Sequence, residues 1–200
     1  MDMKAGNVAM QATREAAMTV PKLQVELEKY MRALWDDHVF WTRMAIISIA
    51  AGSPDTDQTV ARLLRNPVDL EKVFAVYYGD QTAAAVRELL KDHLTIAAEL
   101  VMAAKLGDSK KATSAETRWY ANADEIASAL HSINPNWEKE PLAEMLYEHL
   151  KMTKDEAVAR LDAVWGADIQ IFDKVRGQAQ MMADSLTEGI VMQFPDRFEA

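Results

Sequence analysis

The sequence predicts an all-α fold: an antiparallel, up-and-down helical bundle with an internal helix-pair repeat. Three observations lead there. Apolar residues recur at steps of three and four almost throughout, and strict alternation is absent. Seven Gly and six Pro in 200 residues are few, which argues against disorder and against a loop-rich β fold. The third is a short pattern around a histidine that occurs three times.

The elements follow in order. The first stripe is Leu27, Met31, Leu34, His38, Trp41, Ala45 and Ser48. The second is Val86, Leu90, His93, Ala97, Leu100 and Ala104, and the third runs from Leu161 through Trp165, Asp168, Phe172 and Val175 to Leu186. Narrow seams of this kind belong to bundle helices. Pro21 opens the first helix and Gly52 closes it, a length of roughly 45 Å at the rise of an α-helix. Ser53-Pro54 reads as an N-cap followed by Pro at the first helical position. Asn66-Pro67, with Asp69 three residues on from the Asn, reads as another cap. Gly79-Asp80 is a turn before a long helix to Gly107. Residues 108–113 read as a loop, followed by a helix through about His131. Asn134-Pro135-Asn136 is a turn, and the next helix runs from about Trp137 to Met152. Thr153 with Glu156 fits a capping box opening a last helix to about Val191, and a break near Gly166 is the alternative. The division is then an N-terminal segment 1–20, a bundle 21–192 and a C-terminal tail 193–200.

Bulk composition bounds the function. Half the residues are hydrophobic, enough for one sizeable core, and 26% are charged. The net charge of −9 repels phosphate, which speaks against nucleic acid and anionic membrane as partners and leaves a homo-oligomer or a protein partner. The nearest basic run, Lys105, Lys110 and Lys111, reads as a helix end. With no Cys, disulfides, thiolate metal sites and cysteine nucleophiles drop out. The first twenty residues lack the apolar run of a signal peptide, and Met44–Ala51 is too short to span a bilayer, so a cytoplasmic location is expected.

The repeat carries most of the information. Leu34-Trp35-Asp36-Asp37-His38-Val39, Leu89-Leu90-Lys91-Asp92-His93-Leu94 and Met145-Leu146-Tyr147-Glu148-His149-Leu150 share one pattern, with His spacings of 55 and 56. Gly52 and Gly107 each lie 14 residues past their His. Arg62–Leu70 resembles Arg118–Ile126, and each Asn in it, Asn66 and Asn122, precedes the next His by 27 residues. A duplicated helix pair explains both registers. The two Asn read as N-caps. Arg62 and Arg118 read as partners for carboxylates across the bundle.

Each of the three His lies in the apolar seam of its helix, at a similar estimated height. One buried His is ordinarily a satisfied core residue. Three at equivalent positions are candidates for a shared site. Neutral imidazoles bind divalent transition metals. His38, His93 and His149 are therefore the candidate metal ligands, expected within roughly 8 Å of one another, close enough for one ion to draw them in. The competing expectation is that each His bonds within its own helix pair. The di-iron motif Glu-x-x-His is absent, since Trp35, Leu90 and Leu146 stand three residues before the histidines. Asp168 is the carboxylate in the last seam, but a break at Thr153 puts it at a different height. Asp37, Asp92 and Glu148 point about 100° away from their histidines and read as solvated or Arg-paired. His131 reads as a surface residue, and the methionines as core filler.

Leu34–Arg43 (LWDDHVFWTR), Leu63–Asn66 (LLRN), His93–Lys105 (HLTIAAELVMAAK), Trp119–Ile126 (WYANADEI) and His149–Arg160 (HLKMTKDEAVAR) resemble a bacterial family of helical proteins with no established function. The resemblance runs over most of residues 30–195. Some members carry labels such as acetylglutamate kinase or glycosyltransferase. This sequence has no Gly-x-Gly-x-x-Gly, no Walker lysine loop and no βαβ alternation to match those labels. The resemblance implies a helical fold and assigns no residue a role. Two functions follow from the residues: a binding bundle with an internal His-lined site for a metal ion or small cofactor, or a scaffold whose polar seam residues set helix register. An enzyme ranks behind both, for want of a nucleophile or an acid–base pair.

Overall fold

The computed structural model describes residues 21–199. The N-terminal segment read from the sequence as residues 1–20 lies outside them. Among the described residues there are seven α-helices, a single-turn 3₁₀ helix and no strand. They are α1 (Lys22–Ala51), α2 (Thr56–Leu63), α3 (Asn66–Tyr78), α4 (Asp80–Lys105), α5 (Ser109–Ile133), α6 (Lys139–Leu161) and α7 (Trp165–Gln193), followed by the 3₁₀ turn Pro195–Arg197. The all-α bundle is therefore the architecture. Helices joined by short turns pack along one another, and α7 returns to α1. No helix among the described residues is long and apolar enough to cross a membrane.

Several boundaries differ from the sequence expectation. Ser53-Pro54 does not start a helix; α2 begins at Thr56 behind Asp55, whose carboxylate accepts from Ser48 Oγ at 2.6 Å. Residues 109–113 are helical, because Asp108 accepts from the Lys111 N–H and caps α5. Thr153 and Glu156 do not open a helix. Both are buried within α6, and the break comes at Asp162–Val164, close to Gly166.

The ends of α1, α4 and α6 are built alike. Gly52 and Gly107 sit in left-handed backbone, φ 65° and 70°, and their N–H groups return to Ile49 O and Ala104 O. The following residues, Ser53 and Asp108, donate to Ser48 O and Ala103 O at 3.0 Å, a Schellman closure. At the end of α6, Ala163 takes the same left-handed role with φ 59°, and Val164 donates to Ala159 O at 2.9 Å. Counting from each His, 52 − 38, 107 − 93 and 163 − 149 all give 14. A β-carbon at that backbone conformation is unfavourable, and only Ala163 carries one.

One large core runs the length of the bundle, with smaller clusters around Ile46–Ile49 and Ala45–Leu63. Trp137 is anchored in it against α7 at Gly189, where a β-carbon would fall 1.9 Å from Trp137 Nε1. Of residues 193–200, read from the sequence as a tail, Gln193 ends α7 and Pro195–Arg197 form the 3₁₀ turn. Phe198 is buried and its ring stacks on Tyr77 at 6.1 Å.

Candidate functional site

The seam pattern turns His38 of α1, His93 of α4 and His149 of α6 inward, and all three are buried. The structure brings them together. The ring centroid of His38 lies 5.7 Å from that of His149 and 6.5 Å from that of His93.

Each imidazole is held the same way. Nδ1 of His38 lies 3.2 Å from Asn66 Oδ1, Nδ1 of His93 lies 3.0 Å from Asn122 Oδ1, and Nδ1 of His149 lies 2.9 Å from Gln178 Oε1. The amide nitrogens then donate to a backbone carbonyl four residues before the His: Leu34 O at 2.8 Å, Leu89 O at 3.0 Å and Met145 O at 2.7 Å. This sets the protonation. A carbonyl only accepts, so each amide must turn its nitrogen to it and its oxygen to the ring. An amide oxygen also only accepts, so each Nδ1 carries the proton. When the ring is neutral, Nε2 keeps a bare lone pair. Among the described residues no donor reaches Nε2 of the three.

The rings are neutral. Burial, reinforced by His149 and His93, drives His38 down to about 3. Burial and the neighbouring His149 drive His93 down to about 4, and burial lowers His149 as well. The amide oxygens oppose the shift, but they do not replace lost hydration.

The asparagines were expected as N-caps, and the structure corrects this. Asn122 lies in the middle of α5 and Asn66 in the first turn of α3, with both side chains turned inward to a histidine. Gln178 was not singled out from the sequence. It stands 29 residues past His149, as Asn122 stands 29 past His93, so the register was present and the change of residue type concealed it.

Unsatisfied donors surround this layer. Among the described residues, Trp35 Nε1, Trp119 Nε1 and Thr153 Oγ1 are buried and find no hydrogen-bond partner. The Trp35 ring lies 5.3 Å from His38 and 6.4 Å from His149, and Trp119 lies 5.4 Å from His93. Thr153 follows His149 by one helical turn.

Asp168 does not join the histidines. Fully buried, it accepts from Arg43 Nη1 at 2.8 Å and from Arg160 Nη1 at 3.0 Å. Arg43 Nη1 also donates to Glu156 at 2.6 Å, and its guanidinium lies over Phe172. Burial pushes the Glu156 carboxyl up to about 7, against the pull of Arg43. Asp37 pairs with Arg62 at 2.8 Å, and Arg118 pairs with Glu99. Asp92, Glu148 and His131 are exposed.

The three histidines converge, yet among the described residues no three His, Asp or Glu side chains already stand as a ligand set for a metal ion. The chain matches no protein-family model, no curated protein and no solved structure.

Proposed function

We propose that the chain is a non-catalytic helical-bundle binding protein. Its internal site is the His38–His93–His149 layer, and a divalent transition-metal ion is the first candidate ligand. The observation that carries the reading is the shared orientation: three neutral imidazoles, each held through Nδ1–H, each with an uncommitted Nε2. Metal-binding histidines are commonly oriented in this way, by an Nδ1–H donated to a carbonyl or carboxylate. Nothing else in the layer is charged by this assignment, so a bound ion would keep a solvent or anion ligand in its open position. The resemblance to the bacterial helical family adds no residue role to this reading.

The same proposal includes the ancestry. A helix pair used three times accounts for the His–amide–carbonyl arrangement and for the closure 14 residues later. The pairs are α1 with α2–α3, α4 with α5, and α6 with α7, set in an antiparallel up-and-down order. In support, Arg32, Asp36 and Arg43 of α1 meet Asp184, Arg176 and Asp168 of α7, residue numbers rising on one helix as they fall on the other.

A second reading is favoured by one observation, the bond each amide makes to a neighbouring helix. Three such links could fix helix register with no ligand at all. Cobalt(II) titration of chelator-treated protein separates the two. The binding reading expects visible d–d absorption saturating at one ion per chain, lost in His93→Ala and in His149→Ala. Absence of saturable uptake, or uptake indifferent to these changes, would establish the register reading.

A further inference from the structure

Beyond the histidine layer lies a cavity of about 210 Å³ between α1, α4, α5 and α6. It begins one helical turn past each histidine and extends toward the end of the bundle closed by Gly52 and Gly107. Alanines at 45, 97, 98 and 157 leave the room that larger side chains would fill. A void of this size is costly in a close-packed interior. For scale, an engineered apolar cavity of about 150 Å³ stays dry and takes up benzene.

Two buried donors line it without partners. Trp119 is 3% exposed and Thr153 is 4% exposed, and among the described residues neither Trp119 Nε1 nor Thr153 Oγ1 has an acceptor. Thr153 is the more telling. Thr42, Thr95, Thr117 and Thr187 each donate to the carbonyl four residues back along the helix. Thr153 could do the same to His149 O and does not, so its hydroxyl is kept for something else. Among the described residues, the charged ones lining the cavity are Glu116 and Lys154, and they are paired with each other. A ligand therefore meets mainly apolar walls, these two buried donors, the exposed hydroxyl residues Ser109 and Thr113, and no unpaired charge.

We propose that this cavity binds a neutral, mainly apolar small molecule, somewhat larger than benzene, whose single hydrogen-bond-accepting oxygen is held by Trp119 Nε1 and Thr153 Oγ1. Ketones, aldehydes and esters have this chemistry. Hydrocarbons lack the acceptor, and carboxylates bring a charge that the walls do not answer. The site stands on the cavity and its donors and does not depend on metal at the histidines.

The test uses the whole chain with chelator present, so that metal plays no part. Acetophenone and ethylbenzene are the probes, differing in the carbonyl oxygen. Binding is followed by the indole N–H resonance of Trp119 in ¹H–¹⁵N spectra. Acetophenone is expected to shift that resonance saturably. Thr153→Val is expected to weaken acetophenone by about three- to tenfold, the size of one net hydrogen bond, and to leave ethylbenzene unchanged. Thr153→Ser should restore binding, and Ala157→Leu should remove both ligands by filling the space. No saturable Trp119 shift with acetophenone in the unaltered chain would overturn the proposal. So would Thr153→Val weakening both probes alike. Cobalt uptake by Thr153→Val, measured separately, shows whether the histidine reading stands or falls by itself.

Discussion

Two buried polar regions of this bundle solve the same problem in opposite ways. Around Arg43, Glu156, Asp168 and Arg160, charges are buried and answered by opposite charges, so the region's bonding capacity is spent on the protein itself. Around His38, His93 and His149, every group is neutral, and each ring is answered on one side only. The charged cluster ties α1 to α6 and α7. The histidine layer ties helices too, but leaves three acceptors and, beside them, three donors uncommitted. Leftover capacity of that kind distinguishes a place prepared for a ligand from a cross-link. It also explains why Asp168, the carboxylate in the last seam, serves the fold and not the histidines.

Acidification should separate the two regions most strongly. An unfolded imidazole titrates near 6.5. The folded values are lower, about 3 for His38 and about 4 for His93. The histidines' contribution to stability is therefore complete above pH 6.5 and is lost as pH falls toward the folded values. Glu156 acts in the opposite sense: its folded value of about 7 lies above the ordinary 4.5, so its contribution is present below 4.5 and lost as pH rises through 7. His38 and His93 less Glu156 leave a net uptake of about one proton on unfolding, or up to about 1.4 kcal/mol per pH unit between 6.5 and 4.5, and His149 acts in the same direction as the other two rings. Urea midpoints across that window measure it. A flat profile would mean that the rings already share their protons with water.

Removing one partner from the charged cluster comes next. Arg43→Met should cost about 3–5 kcal/mol, because Glu156 and Asp168 stay buried without their shared cation. At neutral pH the variant should melt well below the parent, and part of the loss should be recovered on mild acidification as Glu156 protonates. Equal loss at every pH would mean that packing, not charge, decides the effect.

Truncating an amide in the histidine layer should cost less. Asn122→Ala orphans His93 Nδ1–H and takes from Leu89 O its second donor, for a loss of about 1–3 kcal/mol. Asn66→Ala and Gln178→Ala should match it if the three arrangements are equivalent. A spread wider than that range, measured by chemical denaturation, would break the equivalence. The smallest expected effect is a gain: Ala163→Gly should stabilise by about 1 kcal/mol, by relieving the one left-handed closure that carries a β-carbon.

The helical architecture was legible because buried faces leave a period of 3.6 in the chain, and because Gly52, Gly79 and Gly107 mark turns where φ is positive. The end of α6 was missed for the complementary reason. Ala163 fills the position that glycine fills elsewhere, while Thr153 and Glu156 imitate a capping box three residues apart. The same ambiguity hid the amides. Asn-Pro-x-Asp has the composition of an N-cap, and only the fold shows that Asn66 turns inward to a ring on another helix. The histidines themselves were legible from spacing alone. Their partnership with Gln178, and that of Arg43 with Asp168 across 125 residues, depends on which helices become neighbours, and local pattern does not carry that information.

The central claim is that three neutral histidines present an unprotonated Nε2 to the bundle interior. Long-range ¹H–¹⁵N spectra of the histidine rings at pH 7 test it directly, since the two nitrogens and their protonation give distinct shifts. The account expects three rings as the Nδ1–H form at pH 7, with those of His38 and His93 unchanged down to about pH 5 and all three Nε2 signals moving together when zinc is added. Rings in the Nε2–H form, or titrating near the ordinary 6.5 of a solvated histidine, would contradict it.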